Sequence, residues 1–381
     1  MLESEEAARR LGVKLTTLYA YVSRGLLPSH PAEGSRRSLF ALDDVERLAK
    51  RARVGRKVET RLASITTGVT QIRDDGPAYR GIPVEALIET ATFETVAEHL
   101  WKAEHDPTGW TANALAEWPT GKITSTDAFR WALLFSGMAD PLRSDLRPEA
   151  VIQKSKRLIA TCIELLGDGH QTPPRSISER VAFALSGRHD KALARVVDIA
   201  LMALADHELA TSTLAVRVAA STRADIYDAL TAGLCVLAGP LHGAASELAH
   251  GLLVQAEELG AGPALDAALR WQRIVPGFGH TVYIGGDPRF DMVMAHLEGV
   301  ATRRQLNLIY DLIDIGTPLS VPGPNIDLAL AAITWSAGLP ASAGQTIFAL
   351  ARLAGWTAHY LEELNERGLR FRARAVYSMS G

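Results

Sequence analysis

Two histidines and one aspartate lie in loop-like segments where their side chains could take part in acid–base chemistry. His242 and His280 each follow a Gly or Pro that breaks a helical pattern, and each has small neighbours. Glycine lets the backbone approach a ligand closely, so a histidine in such a loop is a candidate active-site residue. Asp327 follows Gly-Pro-Asn and precedes an apolar run. It is either a helix N-cap or, if buried in a dry cleft, a base with a raised pKa.

Several common site patterns are absent from the sequence. The histidines at positions 207, 242 and 280 form no local His-x-x-x-His pair, which argues against a metal site. The sequence also lacks a Gly-x-Ser-x-Gly elbow, a Walker loop and a dinucleotide fingerprint. We therefore expect neither a metal nor a bound cofactor.

The composition is typical of a globular protein with a large core. Of the 381 residues, 47% are hydrophobic, the formal net charge is −3 and the mean hydropathy is +0.05. No secretory signal or membrane span is apparent, and Cys162 and Cys235 lie far apart in apolar stretches. We therefore expect a reducing, cytoplasmic location.

Helical periodicity dominates the chain beyond a polar linker near Arg53–Thr60. Phe93–Trp101 has apolar residues at helical spacing, with Thr92 as a possible cap. Strands are hard to find beyond short pieces near Ile65–Ile72. Further helices are predicted at Ala128–Met138, Glu149–Leu166, Ser176–Leu185 and Lys191–Ala205. An all-helical body of this size is expected to form two sub-domains.

Several segments in this body resemble the citrate synthase family. They are DHELATSTLAVRVAAST, GPLHGAASE, PGFGHTVYIGGDPRF, PNIDLAL, LARLAGWTAHYLEE and RFRARAVY. The resemblance implies an all-α homodimer, with a large domain at 60–243 and 339–381 and a small domain at 244–338. It also implies condensation of acetyl-CoA with oxaloacetate, or of propionyl-CoA in relatives that make 2-methylcitrate.

The resemblance assigns roles to individual residues. His242 would hydrogen-bond the thioester oxygen, Asp327 would remove the methyl proton, and His280 would polarise the oxaloacetate carbonyl. The residues that match oxaloacetate-binding positions are His207, Arg289, Arg352 and, reaching the neighbouring subunit's site, Arg372. Arg289 could instead be a turn residue and Arg372 part of a solvated basic tail, and His359 is expected to be a packing residue.

The sequence departs from the family pattern mainly where the acyl-CoA would bind. Basic residues that help to hold CoA phosphates are replaced by Thr281 and Ile284, and Leu328–Ala331 replaces a run that lines the acyl pocket. The other departures are Ala210, Ala244 and Ser246. A different acyl group, a different keto acid or weak activity would each be consistent with these changes.

The first 55 residues resemble the winged helix-turn-helix of the MerR family. Two short helices meet near Gly12, and a basic hairpin precedes a third helix that starts at Asp43 or Asp44 and runs through Arg53. Residues 1–58 contain 12 Lys and Arg against 7 Asp and Glu, and this basic balance favours binding to a polyanion. The candidate base contacts are Lys14, Thr16, Thr17, Tyr19 and Arg24, and the candidate phosphate contacts are Arg36 and Arg37.

Two functions therefore remain open at the level of sequence. The first, which we favour, is an acyltransferase whose head serves regulation or assembly, and the second is a DNA-binding regulator whose body senses a metabolite. The two functions are compatible. The head could also have lost DNA binding, because fold does not imply function.

Overall fold

The computed structural model describes most of the chain in two compact units. The units are Met1–Thr66 and Thr67–Gly381. The residues described are 2–11, 15–23, 27–31, 38–42, 44–45, 65–114, 123–167, 175–239, 245–272, 275–283, 286–319 and 323–372.

The smaller unit contains a pair of helices and a three-stranded sheet. Helices α1 (Ser4–Leu11) and α2 (Leu15–Ser23) pack against one another. Strands β1 (Leu2–Glu3), β2 (His30–Pro31) and β3 (Ser38–Phe40) form an antiparallel sheet in the order β1-β3-β2. The predicted pair of helices and the hairpin are therefore present.

Buried side chains hold this unit together, and one of its predicted DNA contacts is visible at the surface. The core consists of Ala7, Ala8, Leu18, Leu27, Phe40 and Val45. Tyr19 is 49% exposed, and its hydroxyl donates a hydrogen bond to Ser4 Oγ at 3.1 Å.

The other predictions for this unit can be compared with the structure only where residues are described. Helix α2 begins at Leu15, so Thr16 lies inside the helix rather than at its N-cap. Of the predicted third helix, Asp44 and Val45 are helical, and the segment after them lies outside the described ranges. The same holds for Lys14, Arg24, Arg36 and Arg37, and for the side chains of Thr16 and Thr17.

The larger unit opens with a small antiparallel sheet. Strands β4 (Thr70–Arg73), β5 (Gly76–Tyr79) and β6 (Ile82–Pro83) pair in the order β4-β5-β6. Sequence periodicity predicted only short strand segments here. Strands β5 and β6 are too short to show alternating apolar and polar residues, and each contains a proline.

Helices form most of the rest of the described residues. In chain order they are α3 (Val84–Thr90), α4 (Phe93–Trp101), α5 (Ser125–Ala139), α6 (Pro148–Leu166), α7 (Ile177–Ser186), α8 (Lys191–Leu204), α9 (Thr211–Ser221), α10 (Ile226–Leu237), α11 (Ala245–Leu259), α12 (Ala261–Gln272), α13 (Pro288–Met294), α14 (Arg303–Gly316), α15 (Ile326–Ser336) and α16 (Ala343–Leu364). The predicted helices match α4 to α8 within a few residues. Thr92 caps α4 through the backbone N–H of Thr95, as predicted.

Helix α16 is the centre of the larger unit. Its 22 residues pack against α4, α6, α8, α9 and α10, and most of them are buried. A helix buried on all sides is expected to be apolar, so the buried Arg352, His359 and Glu363 on α16 need partners or a ligand.

Two smaller findings concern the cysteines and the longest helices. Cys162 is buried, as expected, but Cys235 is exposed on α10 rather than enclosed by apolar residues. No helix within the described ranges is long and apolar enough to cross a bilayer.

Candidate active site

The turn between α8 and α9 places His207 in a buried position. His207 forms an isolated bridge with Leu209, and Glu208 between them takes a φ of 55°. Burial, and then the charges of Arg289 and Arg352, lower the pKa of His207 well below its usual value. The imidazole is therefore neutral, and it can donate a hydrogen bond without adding a third positive charge.

His280 is held by the loop that precedes α13. Its Nδ1 accepts hydrogen bonds from the backbone N–H groups of Val282 (3.0 Å) and Tyr283 (3.2 Å). A nitrogen that accepts carries no proton, so the ring proton lies on Nε2. Burial, and then Arg289, lower the pKa of His280, which keeps the ring neutral. The result is a neutral ring whose Nε2 lies 3.3 Å from Arg289 Nη2.

Glycine at position 277 allows this loop to reach α15. Gly277 has a φ of 81°, and a Cβ there would lie 2.8 Å from the Leu328 Cβ. Any other residue would push the loop away from α15.

Arg289 is anchored by a neighbouring carboxylate. Its Nε donates to Asp287 Oδ1 at 2.9 Å and its Nη2 donates to Asp287 Oδ2 at 2.8 Å. Although burial acts to raise it, the pKa of Asp287 is held below its usual value by this guanidinium. Asp287 Oδ2 also accepts from the backbone N–H of Ile326 at 3.1 Å. Arg289 is therefore not a simple turn residue, because one carboxylate joins it to the start of α15.

Arg352 is a buried cation with unused donors. The residue is 2% exposed, and its Nε and Nη1 have no hydrogen-bond partner in the described part of the chain. Its guanidinium lies 5.0 Å from the ring centre of Phe348. Burial lowers the pKa of Arg352 to about 10. An isolated buried cation is costly, so this geometry indicates an anionic ligand.

Asp327 lies in the first turn of α15. Asn325, not Asp327, caps the helix by accepting from the Asp327 N–H at 2.9 Å. No described residue donates a hydrogen bond to the Asp327 carboxylate. Burial raises its pKa to about 6 against the opposing charge of Arg289. A carboxyl group in this environment suits a general base.

One cavity of about 750 Å³ brings these groups together. Its wall includes His207, His280, Arg289, Asp327 and Arg352. The rings of His207 and His280 have their centres 5.4 Å apart. Neutral imidazoles, two guanidiniums and a carboxyl group with a raised pKa thus share a single space.

The two other predicted catalytic and substrate-binding residues are His242 and Arg372. His242 lies outside the described residues. Arg372 is exposed near the end of the described chain and is not among the residues that line the cavity. Its reach into a partner's site stays a prediction.

Comparison with family models accounts for both parts of the chain. A model described as "Citrate synthase, C-terminal domain" matches residues 59–374. The chain belongs to the citrate synthase family. A model described as "Helix-turn-helix domain" matches residues 1–53. Both parts of the resemblance, the synthase body and the helix-turn-helix head, are confirmed.

Similar proteins include citrate synthases and 2-methylcitrate synthases. The chain is 29% identical over 352 residues to citrate synthase 2 of Bacillus subtilis, covering 83% of this chain and 94% of that protein. It is 27% identical over 339 residues to 2-methylcitrate synthase of Mycobacterium tuberculosis, covering 80% of this chain and 86% of that protein.

Solved structures share the fold. Citrate synthase from Pyrobaculum aerophilum superposes with a TM-score of 0.69 at 23% identity, covering 83% of this chain and 90% of that one. The ternary complex of carboxymethyl coenzyme A and oxaloacetate with citrate synthase from Thermoplasma acidophilum gives a TM-score of 0.66 at 23% identity, covering 86% and 96%. These likenesses confirm the mostly helical fold.

A buried polar network lies behind the cavity of this citrate synthase family member. His359 Nδ1 accepts from Arg217 Nη1 at 2.9 Å, so its Nε2 carries the proton and donates to Asp206 Oδ2 at 3.2 Å. Asp206 Oδ2 also accepts from the Thr70 hydroxyl at 2.6 Å. The expectation that His359 is a packing residue is therefore wrong, because it connects two buried charged groups.

Close backbone contact fixes α16 beside this network. The Gly355 N–H donates to the Ala205 carbonyl at 2.9 Å, and a Cβ on Gly355 would lie 2.3 Å from that oxygen. Only glycine fits at this crossing, which is less than one helical turn from Arg352.

Sequence reasoning missed two residues that contact the site. Asp287 was assigned no role, although it anchors Arg289. Tyr283 was not assigned a role, yet its hydroxyl lies 3.2 Å from His207 Nε2 and its ring centre lies 4.9 Å from that of His280. Burial raises the pKa of Tyr283 to about 12, so the hydroxyl stays protonated.

The residues that depart from the family pattern occupy several environments. Thr281 and Ala210 line the cavity, together with the apolar Val236. Leu328 instead packs in the core under Gly277. Ala244 and Ile284 lie outside the described residues, and Ser246 is buried near Gly344.

Proposed function

We propose that this protein is an acyltransferase that condenses acetyl-CoA with oxaloacetate to give citrate and CoA. Arg352 is the residue on which the proposal mainly rests. Two of its buried donors have no partner among the described residues, and Arg352 lines a cavity that Arg289 and His207 also line. Arginine forks match carboxylates, and oxaloacetate carries two of them. No bound cofactor is needed, because acetyl-CoA is a co-substrate.

The keto acid would be held and polarised before the carbon–carbon bond forms. His207 and the two arginines would bind the carboxylates, and Arg372 would join them from a partner subunit in a proposed homodimer. The Nε2–H of His280 would donate to the keto oxygen and polarise its carbon. Because the ring is neutral, this donor stabilises the alkoxide as it develops and then gives up the proton.

Asp327 would generate the nucleophile. Its carboxylate would take a proton from the acetyl methyl group while His242 stabilises the enol oxygen. The former methyl carbon of the enol then attacks the keto carbon, and the keto oxygen takes the proton from His280. Water would hydrolyse the citryl thioester, which releases citrate and CoA.

The acyl group is the point at which 2-methylcitrate synthase is an alternative. A propionyl group adds one methyl, and apolar pockets discriminate one methylene only about 10–200-fold. Thr281, Ala210 and Val236 in the cavity wall differ from the expected pattern or are apolar, which would accommodate either acyl group.

A CoA-release assay tests both possibilities. Free thiol would be measured with oxaloacetate plus acetyl-CoA, propionyl-CoA or butyryl-CoA, with Asp327→Asn as the inactive control. We expect turnover with acetyl-CoA or propionyl-CoA that depends on oxaloacetate. Absence of turnover with every acyl-CoA, from folded protein, would refute the proposal.

We infer DNA binding by the head as a second function. The family match to residues 1–53, the basic balance of the head and the exposed Tyr19 support it. A full-length chain would be titrated onto its own upstream DNA at several salt concentrations. Affinity should fall with salt, and Arg36→Ala with Arg37→Ala should reduce the salt slope by about 2. No binding at low salt would refute this function.

A further inference from the structure

The segment that follows α16 is fixed to the body by Arg370. The Arg370 Nε donates to Glu363 Oε1 at 2.7 Å, and its Nη2 donates to Glu363 Oε2 at 2.5 Å. A two-point contact between planar groups sets orientation as well as distance. Arg370 is therefore not part of a freely solvated basic tail.

Glu363 is a rigid anchor for this contact. The residue is 0% exposed, and its Oε2 also accepts from Arg217 Nε at 2.9 Å. Arg217 in turn contacts His359 in the network behind the cavity. One buried carboxylate thus connects the core beside the keto-acid site to the segment after α16.

Backbone contacts hold the same segment at two further points. The Leu369 N–H donates to the Ser221 carbonyl at 2.8 Å, and Arg223 Nη2 donates to the Glu366 carbonyl at 2.7 Å. Arg372 follows two residues after Arg370 and is exposed. The segment is therefore tied to its own subunit up to Arg370, and Arg372 is the next cationic side chain that is free to reach outwards.

We propose that Arg370 is a positioning residue, whose bidentate contact with Glu363 presents Arg372 to the oxaloacetate carboxylate. This rests on the proposed function, in which Arg372 completes a partner's site. A surface arginine on an unanchored tail would sample many positions, and small misplacements of a binding group weaken its effect strongly. Arg370 would touch no substrate and would act only through Arg372.

A double-mutant cycle in the full chain tests this role. Arg370→Ala, Arg372→Ala and the double variant would be compared with wild type in the CoA-release assay, over a range of oxaloacetate concentrations. Arg370→Lys would test rescue, because lysine keeps the charge but not the fork. Arg367→Ala is the matched control, since Arg367 is exposed on the same segment and forms no ion pair with a described residue.

The expected result is a rise in KM for oxaloacetate with little change in kcat. Arg372→Ala should raise KM about tenfold or more, and Arg370→Ala should raise it about fivefold in the wild-type background. In the Arg372→Ala background Arg370→Ala should add nothing, because coupled residues are non-additive. Arg370→Lys should fall between wild type and alanine, and Arg367→Ala should match wild type. Melting temperatures should stay close, because Arg370 is partly exposed and Glu363 keeps Arg217.

Two results would overturn the inference in distinguishable ways. If Arg372→Ala raises KM but Arg370→Ala does not, or if their effects multiply, Arg370 does not act through Arg372. If Arg372→Ala itself leaves KM unchanged, the proposed use of Arg372 fails, and the role of Arg370 fails with it.

Discussion

Replacement of Arg352 by methionine would separate a substrate-binding role of this side chain from a structural one. Methionine is unbranched and fills irregular apolar space, so it can replace the arginine stem without a charge. The wild-type guanidinium is buried with two donors unused among the described residues. Removal of the guanidinium should therefore weaken the use of oxaloacetate much more than it changes the stability of the fold.

The structure gives the size of both effects. Burial lowers the pKa of Arg352 to about 10 from 12.5, and one pKa unit corresponds to about 1.4 kcal/mol. Keeping the charge in the empty site thus costs about 3 kcal/mol at pH 7, a cost relieved only above about pH 10. The lost contact with Phe348 offsets about 1 kcal/mol of this. The free energy of unfolding should be unchanged or up to about 2 kcal/mol higher.

The loss in catalysis should be much larger. Each charge-assisted hydrogen bond contributes about 1.5–3 kcal/mol, so two of them contribute about 3–6 kcal/mol. Since about 1.4 kcal/mol is a factor of ten, kcat/KM for oxaloacetate should fall about 10²–10⁴-fold. Oxaloacetate should raise the melting temperature of the wild type but not of the variant.

The measurements are CoA release at varied oxaloacetate and thermal unfolding with and without oxaloacetate. Arg180→Met is the matched control. Arg180 is also buried, but its Nη1 donates to the Trp110 carbonyl at 2.8 Å, outside the cavity. That control should lose stability and keep its kcat/KM. Wild-type kcat/KM in Arg352→Met, or destabilisation like that of Arg180→Met, would refute the reasoning.

Three further predictions concern the same site and its support. Burial raises the pKa of Asp327 to about 6, so kcat/KM should fall about tenfold per pH unit below that value, and Asp327→Asn should lower kcat at least about 10²-fold at every pH. Tyr283→Phe removes the hydroxyl beside His207 but keeps the ring, so KM for oxaloacetate should rise about 2–10-fold while kcat changes little. His359→Phe leaves Asp206 without its Nε2–H donor, so urea unfolding should show a loss of about 1–3 kcal/mol. The first prediction would be contradicted if kcat/KM did not fall until the pH approached the ordinary aspartate pKa. An unchanged KM for oxaloacetate in Tyr283→Phe would contradict the second, and an unchanged urea midpoint in His359→Phe would contradict the third.

Local signals in the sequence predicted much of the helical body. Thr92 caps its helix as expected, and the predicted ends of α4 to α8 lie within a few residues of the observed ends. Caps and periodicity act over a few residues, so they can be read from a sequence. The motif resemblance added His207, His280 and Asp327, which the fold brings to one cavity.

Contacts between distant segments could not be predicted in the same way. Asp287 contacts both Arg289 and the start of α15, and only the folded chain shows the second contact. His359 was expected to pack, because its helix is apolar and its partners, Asp206 and Arg217, lie more than a hundred residues away. The order of residues cannot show which buried polar groups meet, since that depends on how the helices cross.

The glycine crossing at Gly355 limits how this site could be redesigned. Because α16 is held at backbone distance from Ala205, the helix cannot move closer to Ala205, and Arg352 keeps its depth in the cavity. A bulkier keto acid would have to gain its space from other parts of the cavity wall. A mutant library that seeks new keto-acid substrates should therefore vary the loops at 209–211 and 281–282, and leave the central helix untouched.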